Sequence, residues 1–125
     1  MENPTNSNLN GERRSIGNAF ETRALEHLQR HGLRLLHRHY HSRLGEIDLI
    51  LQDKKTVVFV EVRSRRATRY GHPLETIHYH KQQRIIKTAQ LYLLSHYGNP
   101  LPLCRFDVVT FVKDELQWIK NAFSS

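Results

Sequence analysis

The sequence predicts a mixed α/β domain: one central mixed sheet flanked by helices. Three observations predict it. Apolar residues recur at helical spacing near the start of the chain and again after its middle. Runs rich in β-branched and aromatic residues stand between and after those two segments. Two of the runs, 44–51 and 56–63, are joined by Gln52-Asp53-Lys54-Lys55, polar turn material that makes them a hairpin. With 125 residues there is room for a single domain, expected over 15–125.

Residues 1–14 are polar, nearly without apolar side chains, and read as a disordered tail. They show no basic start and no apolar stretch, so no signal peptide is expected and a cytoplasmic location is. The first helix is expected from Ser15 to His31. Phe20, Ala24, Leu25 and Leu28 form its stripe, and Gly32 sits where a C-terminal cap belongs. Glu21 borders that stripe. Leu33 to Tyr40 is the first strand, and the hairpin follows. A basic loop spans 65–71. Pro73 suits the first turn of a second helix running to about Tyr97, with Ile85, Ala89, Tyr92 and Leu93 as its apolar stripe. Lys81, Arg84 and Lys87 line another face. Phe106 to Val112 is a further strand, and Leu116, Trp118 and Ile119 belong to a short terminal strand or helix.

Side chains alternate across a strand, so register decides which hairpin residues meet. One register gathers Ile47, Leu49, Val58, Val60 and Val62 on a wholly apolar face. It places Glu46, Asp48, Glu61 and Arg63 together on the other face, with Ile50, Val57 and Phe59 nearer the turn. Three carboxylates in cross-strand reach repel one another unless a cation or Arg63 offsets them. A hard divalent ion is one solution, Mg²⁺ or Mn²⁺ with one or two carboxylates, water and phosphate oxygens. A Glu46–Arg63 salt bridge on a solvated edge is the other.

Charge is uneven along the chain. Nineteen Lys and Arg stand against twelve Asp and Glu, a net +7, and Lys54 to Arg105 alone carries +8. Arg outnumbers Lys thirteen to six, and Arg's planar fork suits phosphate. A localised basic segment of this kind points to nucleic acid. No apolar run approaches a membrane span, and the lone Cys104 excludes an intrachain disulfide framework.

Four stretches carry a resemblance: Gly17-x-x-x-Glu21-x-x-Ala24, Gly45-Glu46-Ile47-Asp48-Leu49-Ile50, Phe59-Val60-Glu61-Val62-Arg63 and Arg105-Phe106-Asp107-Val108-Val109. Together they resemble the uncharacterised bacterial YraN family of the PD-(D/E)XK nuclease superfamily, similar in architecture to archaeal Holliday-junction resolvases. The match runs over about residues 15–123. The resemblance implies a restriction-endonuclease-like αβββαβ core and a Mg²⁺- or Mn²⁺-dependent endonuclease acting on DNA, including branched or repair intermediates. It assigns Asp48 and Glu61 as metal carboxylates and Glu21 as the acid from the first helix. Glu46, on the same strand face as Asp48, is a further candidate metal ligand. Arg63 stands where most of the superfamily has Lys. Arg does not serve as a base in proteins, so Arg63 is expected to hold a phosphate or the water. Lys81 is then the alternative source of an ammonium. Arg63, Arg65, Arg66, Lys81, Arg84 and Lys87 are the expected phosphate contacts, with DNA ahead of RNA. A resolvase-like task favours a twofold homodimer.

Other features are read more plainly. The nine histidines, including the alternating His37, His39 and His41, are expected at the surface, without a metal. Tyr70 belongs to loop packing or to base stacking, and Asp107 is expected to pair with Arg105 or with a basic residue of the second helix. Ser64 either positions a phosphate or ends its strand. No Gly-rich phosphate loop or dinucleotide fingerprint is present. The alternative to the enzyme is a non-catalytic nucleic-acid-binding module on a nuclease scaffold. A third reading is a regulatory protein whose basic segment meets an acidic partner.

Overall fold

The computed structural model describes residues 18–65 and 77–124. The tail over 1–14, the helix start at Ser15, and Arg66, Arg69, Tyr70 and Pro73 lie outside the described residues, as does the side chain of Arg65. Helix α1 covers residues 18–30. Strands β1 (Arg34–Ser42), β2 (Gly45–Asp53) and β3 (Thr56–Arg65) follow, then helix α2 (Tyr79–His96), β4 (Leu103–Val112) and β5 (Glu115–Phe123). This is the αβββαβ order with one added strand.

The five strands lie side by side in chain order. All neighbours are antiparallel except β3 and β4, which are parallel. That one parallel pair needs a crossover, and α2 belongs to it. Each face of the sheet has its own core. On one, Ala24, Leu25 and Leu28 of α1 pack with Leu49, Leu51, Val58, Val60, Val109 and Phe111. On the other, Ile85, Ile86, Ala89, Tyr92 and Leu93 of α2 pack with Ile47, Ile50, Val57, Phe59 and Phe106. Cover on both sides explains the unbroken apolar run Val57-Val58-Phe59-Val60, which is buried throughout.

The expected helix cap is present. Gly32 sits at φ +91, its N–H donates to the Gln29 carbonyl at 3.0 Å, and the Leu33 N–H donates to the Leu28 carbonyl at 3.1 Å. This is a Schellman closure, which needs a residue tolerant of positive φ. Helix α2 is shorter than its sequence predicts. His78 is extended, at φ −64 and ψ 151, so the helix begins at Tyr79. The β2–β3 turn is also tighter: Asp53 pairs with Thr56, leaving only Lys54 and Lys55 between the strands. Among the described residues, no helix is long and apolar enough to cross a membrane.

Asp107 is fully buried on β4. Its carboxylate accepts from Arg105 Nε at 3.1 and 3.2 Å, from Trp118 Nε1 at 3.0 Å and from the Asn121 N–H at 2.9 Å. Arg105 also holds Asp53 at 3.0 Å. This network bears out the Arg105–Asp107 pair and fastens β5 and the β2–β3 turn to β4.

Candidate active site

The site forms where β1 and β2 stop alternating and β2 parts from β3. Arg38 pairs with Leu49, and Tyr40 with Ile47. Residues two apart on a regular strand share a face. Here they do not. Arg38 reaches Glu21 and Thr22 of α1, and Leu49 belongs to the α1 core. Tyr40 and Ile47 belong to the α2 core. The break falls on the residues between, His39 and Asp48, and His39 has a φ of 57, outside the strand region. The expected placement of Ile47 beside Leu49 is therefore corrected: Ile47 packs on the α2 side.

Asp48 also ends the pairing of β2 with β3, whose last rung toward this end is Leu49–Val60. Beyond it the Asp48 carboxylate takes the place of a backbone acceptor, with the Val62 N–H donating to Oδ2 at 2.9 Å. At this gap, residues from both sides of the sheet converge. From α1 comes Glu21, buried, with His39 Nε2 at 2.9 Å and Arg38 Nε at 3.5 Å. From α2 comes Lys81, whose Nζ lies 2.7 Å from Oε1 of Glu61. Arg63 stands on β3 close enough to favour the Glu61 carboxylate.

One ligand atom each from Glu21, His39 and Asp48 lies within 4.8 Å of the others. Octahedral ligands at about 2.1 Å from a metal stand about 3.0 Å apart when adjacent and about 4.2 Å when opposite, so the three atoms would draw together to share one ion. The donor set, two carboxylates and an imidazole, fits a divalent ion. The carboxylates suit Mg²⁺ or Mn²⁺, and the imidazole suits a transition ion. Glu61 faces Lys81 at the edge of this group. Glu46 is two-thirds exposed (66%) and pairs instead with His41 across the strands at 3.3 Å.

Burial dominates the electrostatics. It pushes Asp48 up from 3.8 to about 6; the Val62 N–H and Lys81 oppose the rise, and the charges of Glu21 and Glu46 add to it. Glu61 is raised by burial and then by Asp48, against the pull of Lys81 and Arg63. Glu21 is raised by burial, against His39 and Arg38. Ionised carboxylates are thus held together at a cost that a cation would relieve.

The structure brings together Glu21, Asp48, Glu61, Arg63 and Lys81. Arg84 and Lys87 lie further along α2, both exposed, and Ser64 is exposed too. His39 is exposed, as the reading of the histidines as surface groups expects, but its contact with Glu21 was missed by that reading. A signal for it exists. The tight turn sets Ser42 opposite Gly45, and counting back from that pair puts His39 opposite Asp48. Its neighbours behave otherwise: His37 stacks edge-on with Tyr40 and Tyr92.

The model of uncharacterised protein family UPF0102 matches residues 20–111. A UPF0102 protein of Stutzerimonas stutzeri is 48% identical over 118 residues, covering 91% of this chain and 98% of its own. One from Chromohalobacter salexigens is 45% identical over 123 residues, covering 95% and 98%. One from Persephonella marina is 46% identical over 107 residues, covering 86% and 91%. The matched stretch contains every residue of the site described above.

Proposed function

The chain belongs to the UPF0102 family, which is the YraN family of the PD-(D/E)XK-like nuclease superfamily, and we propose that it is a divalent-metal-dependent endonuclease acting on DNA. One observation carries the reading. Glu21, His39 and Asp48 converge with the Glu61–Lys81 pair at a gap between β2 and β3, beside a basic segment.

Glu21, His39 and Asp48 would hold the ion, with Glu61 able to join if Lys81 releases it. Mn²⁺ or Mg²⁺ there supplies charge neutralisation at phosphorus and an activated water. The rest belongs to the chain. Arg38 and the Val62 N–H orient Glu21 and Asp48. Lys81 puts an ammonium beside Glu61 from α2, where Arg63 on β3 cannot serve as a base. Arg63, Lys81, Arg84 and Lys87 offer positive charge to the phosphate backbone, and Arg65 and Arg66 belong to the same proposal. A twofold dimer would place two such sites on one branched substrate.

A specific observation favours a second reading, a nucleic-acid-binding module that no longer cuts. The Lys81 ammonium already neutralises Glu61, as a metal would. A cleavage panel over single-stranded, duplex, flap and four-way-junction DNA with Mn²⁺ or Mg²⁺ separates the two. Cutting that disappears in both Asp48→Asn and Glu61→Gln supports the enzyme. Tight binding with no cutting of any substrate overturns it in favour of the binding module.

A further inference from the structure

A cleft of about 500 Å³ lies between the β1–β2 turn and the first turns of α2. Arg43, Lys81 and Arg84 line it, with His41, Ser42 and Glu46. We propose that this cleft is a second phosphate subsite, which takes the DNA backbone phosphate adjacent to the one held at the carboxylates; the proposal rests on the nuclease reading above.

Charge is the first argument. Two guanidiniums, Arg43 and Arg84, line the cleft beside Lys81, whose ammonium holds Glu61, and the one lining acid, Glu46, has His41 at 3.3 Å. Among the described residues, no carboxylate lies within salt-bridge distance of Arg43 or Arg84. Two guanidinium forks facing one opening suit a tetrahedral oxyanion, which each can grip with two N–H groups.

Continuity is the second. Lys81 belongs to both places, with its Nζ on Glu61 and its side chain in the cleft wall. Glu46 borders the cleft and lies two residues from Asp48 on β2. Arg84 follows Lys81 by three residues, about 4.5 Å further along the helix axis. A chain of phosphates leaving the carboxylates past Lys81 would enter the cleft that Arg84 and Arg43 line. A free phosphate would gain nothing from that alignment.

Rigidity is the third. The turn is fastened to the helix. Ser42 Oγ lies 3.5 Å from Thr88 Oγ1, which itself donates to the Arg84 carbonyl at 2.8 Å. Gly45 lets the two approach, because a Cβ there would stand 3.1 Å from Thr88 Oγ1 and 3.4 Å from the Arg84 Cβ. The cleft therefore exists before a ligand arrives, which lowers the ordering cost of binding. Its volume falls within the range of small-ligand sites, enough for a sugar-phosphate unit.

The test is fluorescence anisotropy with a fluorescein-labelled duplex and a labelled single strand, in chelator, across a salt series. Arg43→Ala and Arg84→Ala should each weaken binding about fivefold or more. Each should also reduce the salt slope by about 0.9, one phosphate contact on duplex DNA. Lys120→Ala, on β5 over Trp118, is the control and should match the parent. Mn²⁺ affinity by calorimetry should stay at the parent's value in both arginine variants. Parent-like DNA affinity and slope in both, with a parent that binds DNA, would overturn the subsite and leave the nuclease reading standing. A parent that binds neither DNA nor Mn²⁺ would overturn both.

Discussion

Asp48→Asn should stabilise the metal-free protein. The side chain keeps its size, and the Asn carbonyl can still accept the Val62 N–H that Asp48 accepts at 2.9 Å. What it loses is a charge that the fold disfavours. Asp48 titrates near 6 in the folded state against an ordinary 3.8, chiefly because it is buried. Between those two values the folded protein holds a proton that the unfolded chain has released. Stability therefore falls as pH rises through this window, is unaffected below it, and carries the full cost above it. At about 1.4 kcal/mol per pH unit the cost is about 3 kcal/mol. For a domain of this size that is roughly 10 °C in melting temperature. Urea unfolding followed by circular dichroism, in chelator at several pH values, reads it directly. Parent and variant should nearly coincide near pH 4, and the variant should lead by about 3 kcal/mol at pH 7.5. Added Mn²⁺ should then raise the parent and leave the variant where it was. A variant less stable than the parent at pH 7.5 in chelator would show that the Asp48 charge supports the fold, and the reasoning from its burial would fail.

Lys81→Gln frees Glu61 and removes a nearby positive charge, so Mn²⁺ affinity by calorimetry should hold or rise while cleavage falls about 10²-fold, since the ammonium acts beside Glu61 and not as a ligand. Arg63→Lys should change the cleavage rate less than about threefold, because Lys81 already places an ammonium there; a large gain would mean that Lys81 does not serve. Asp107→Ala removes the acceptor for Arg105, Trp118 and the Asn121 N–H, and should cost about 3–5 kcal/mol in urea unfolding. Val60→Asp buries an unpaired charge at a position 1% exposed, and a protein still showing a cooperative melt would refute the assigned faces of β3.

Periodicity along the chain was enough for much of this molecule. The α1 stripe with its Gly32 cap, the β2–β3 hairpin, the two-faced burial of β3 and the α2 stripe all follow from residues within about ten positions of one another. The carboxylates Asp48 and Glu61 were visible for the same reason, as charged residues in otherwise apolar strands. The β4–β5 hairpin was only half visible. Its turn, Lys113-Asp114, takes positive φ at both residues without the Asn or Gly that usually marks such a turn. The remainder was decided by packing across distant segments. Alternation is a rule for regular strands, and it fails at His39 and Asp48, where β2 leaves β3 and one helix covers each face. That single irregularity turns Ile47 toward α2, lets Arg38 and His39 share Glu21, and leaves Glu46 to His41. Whether Lys81 reached Glu61 depended on how α2 lies over the sheet. No local pattern encodes that, because it is set by Ile85, Ala89 and Tyr92 meeting Ile47, Ile50 and Phe59 from far along the chain.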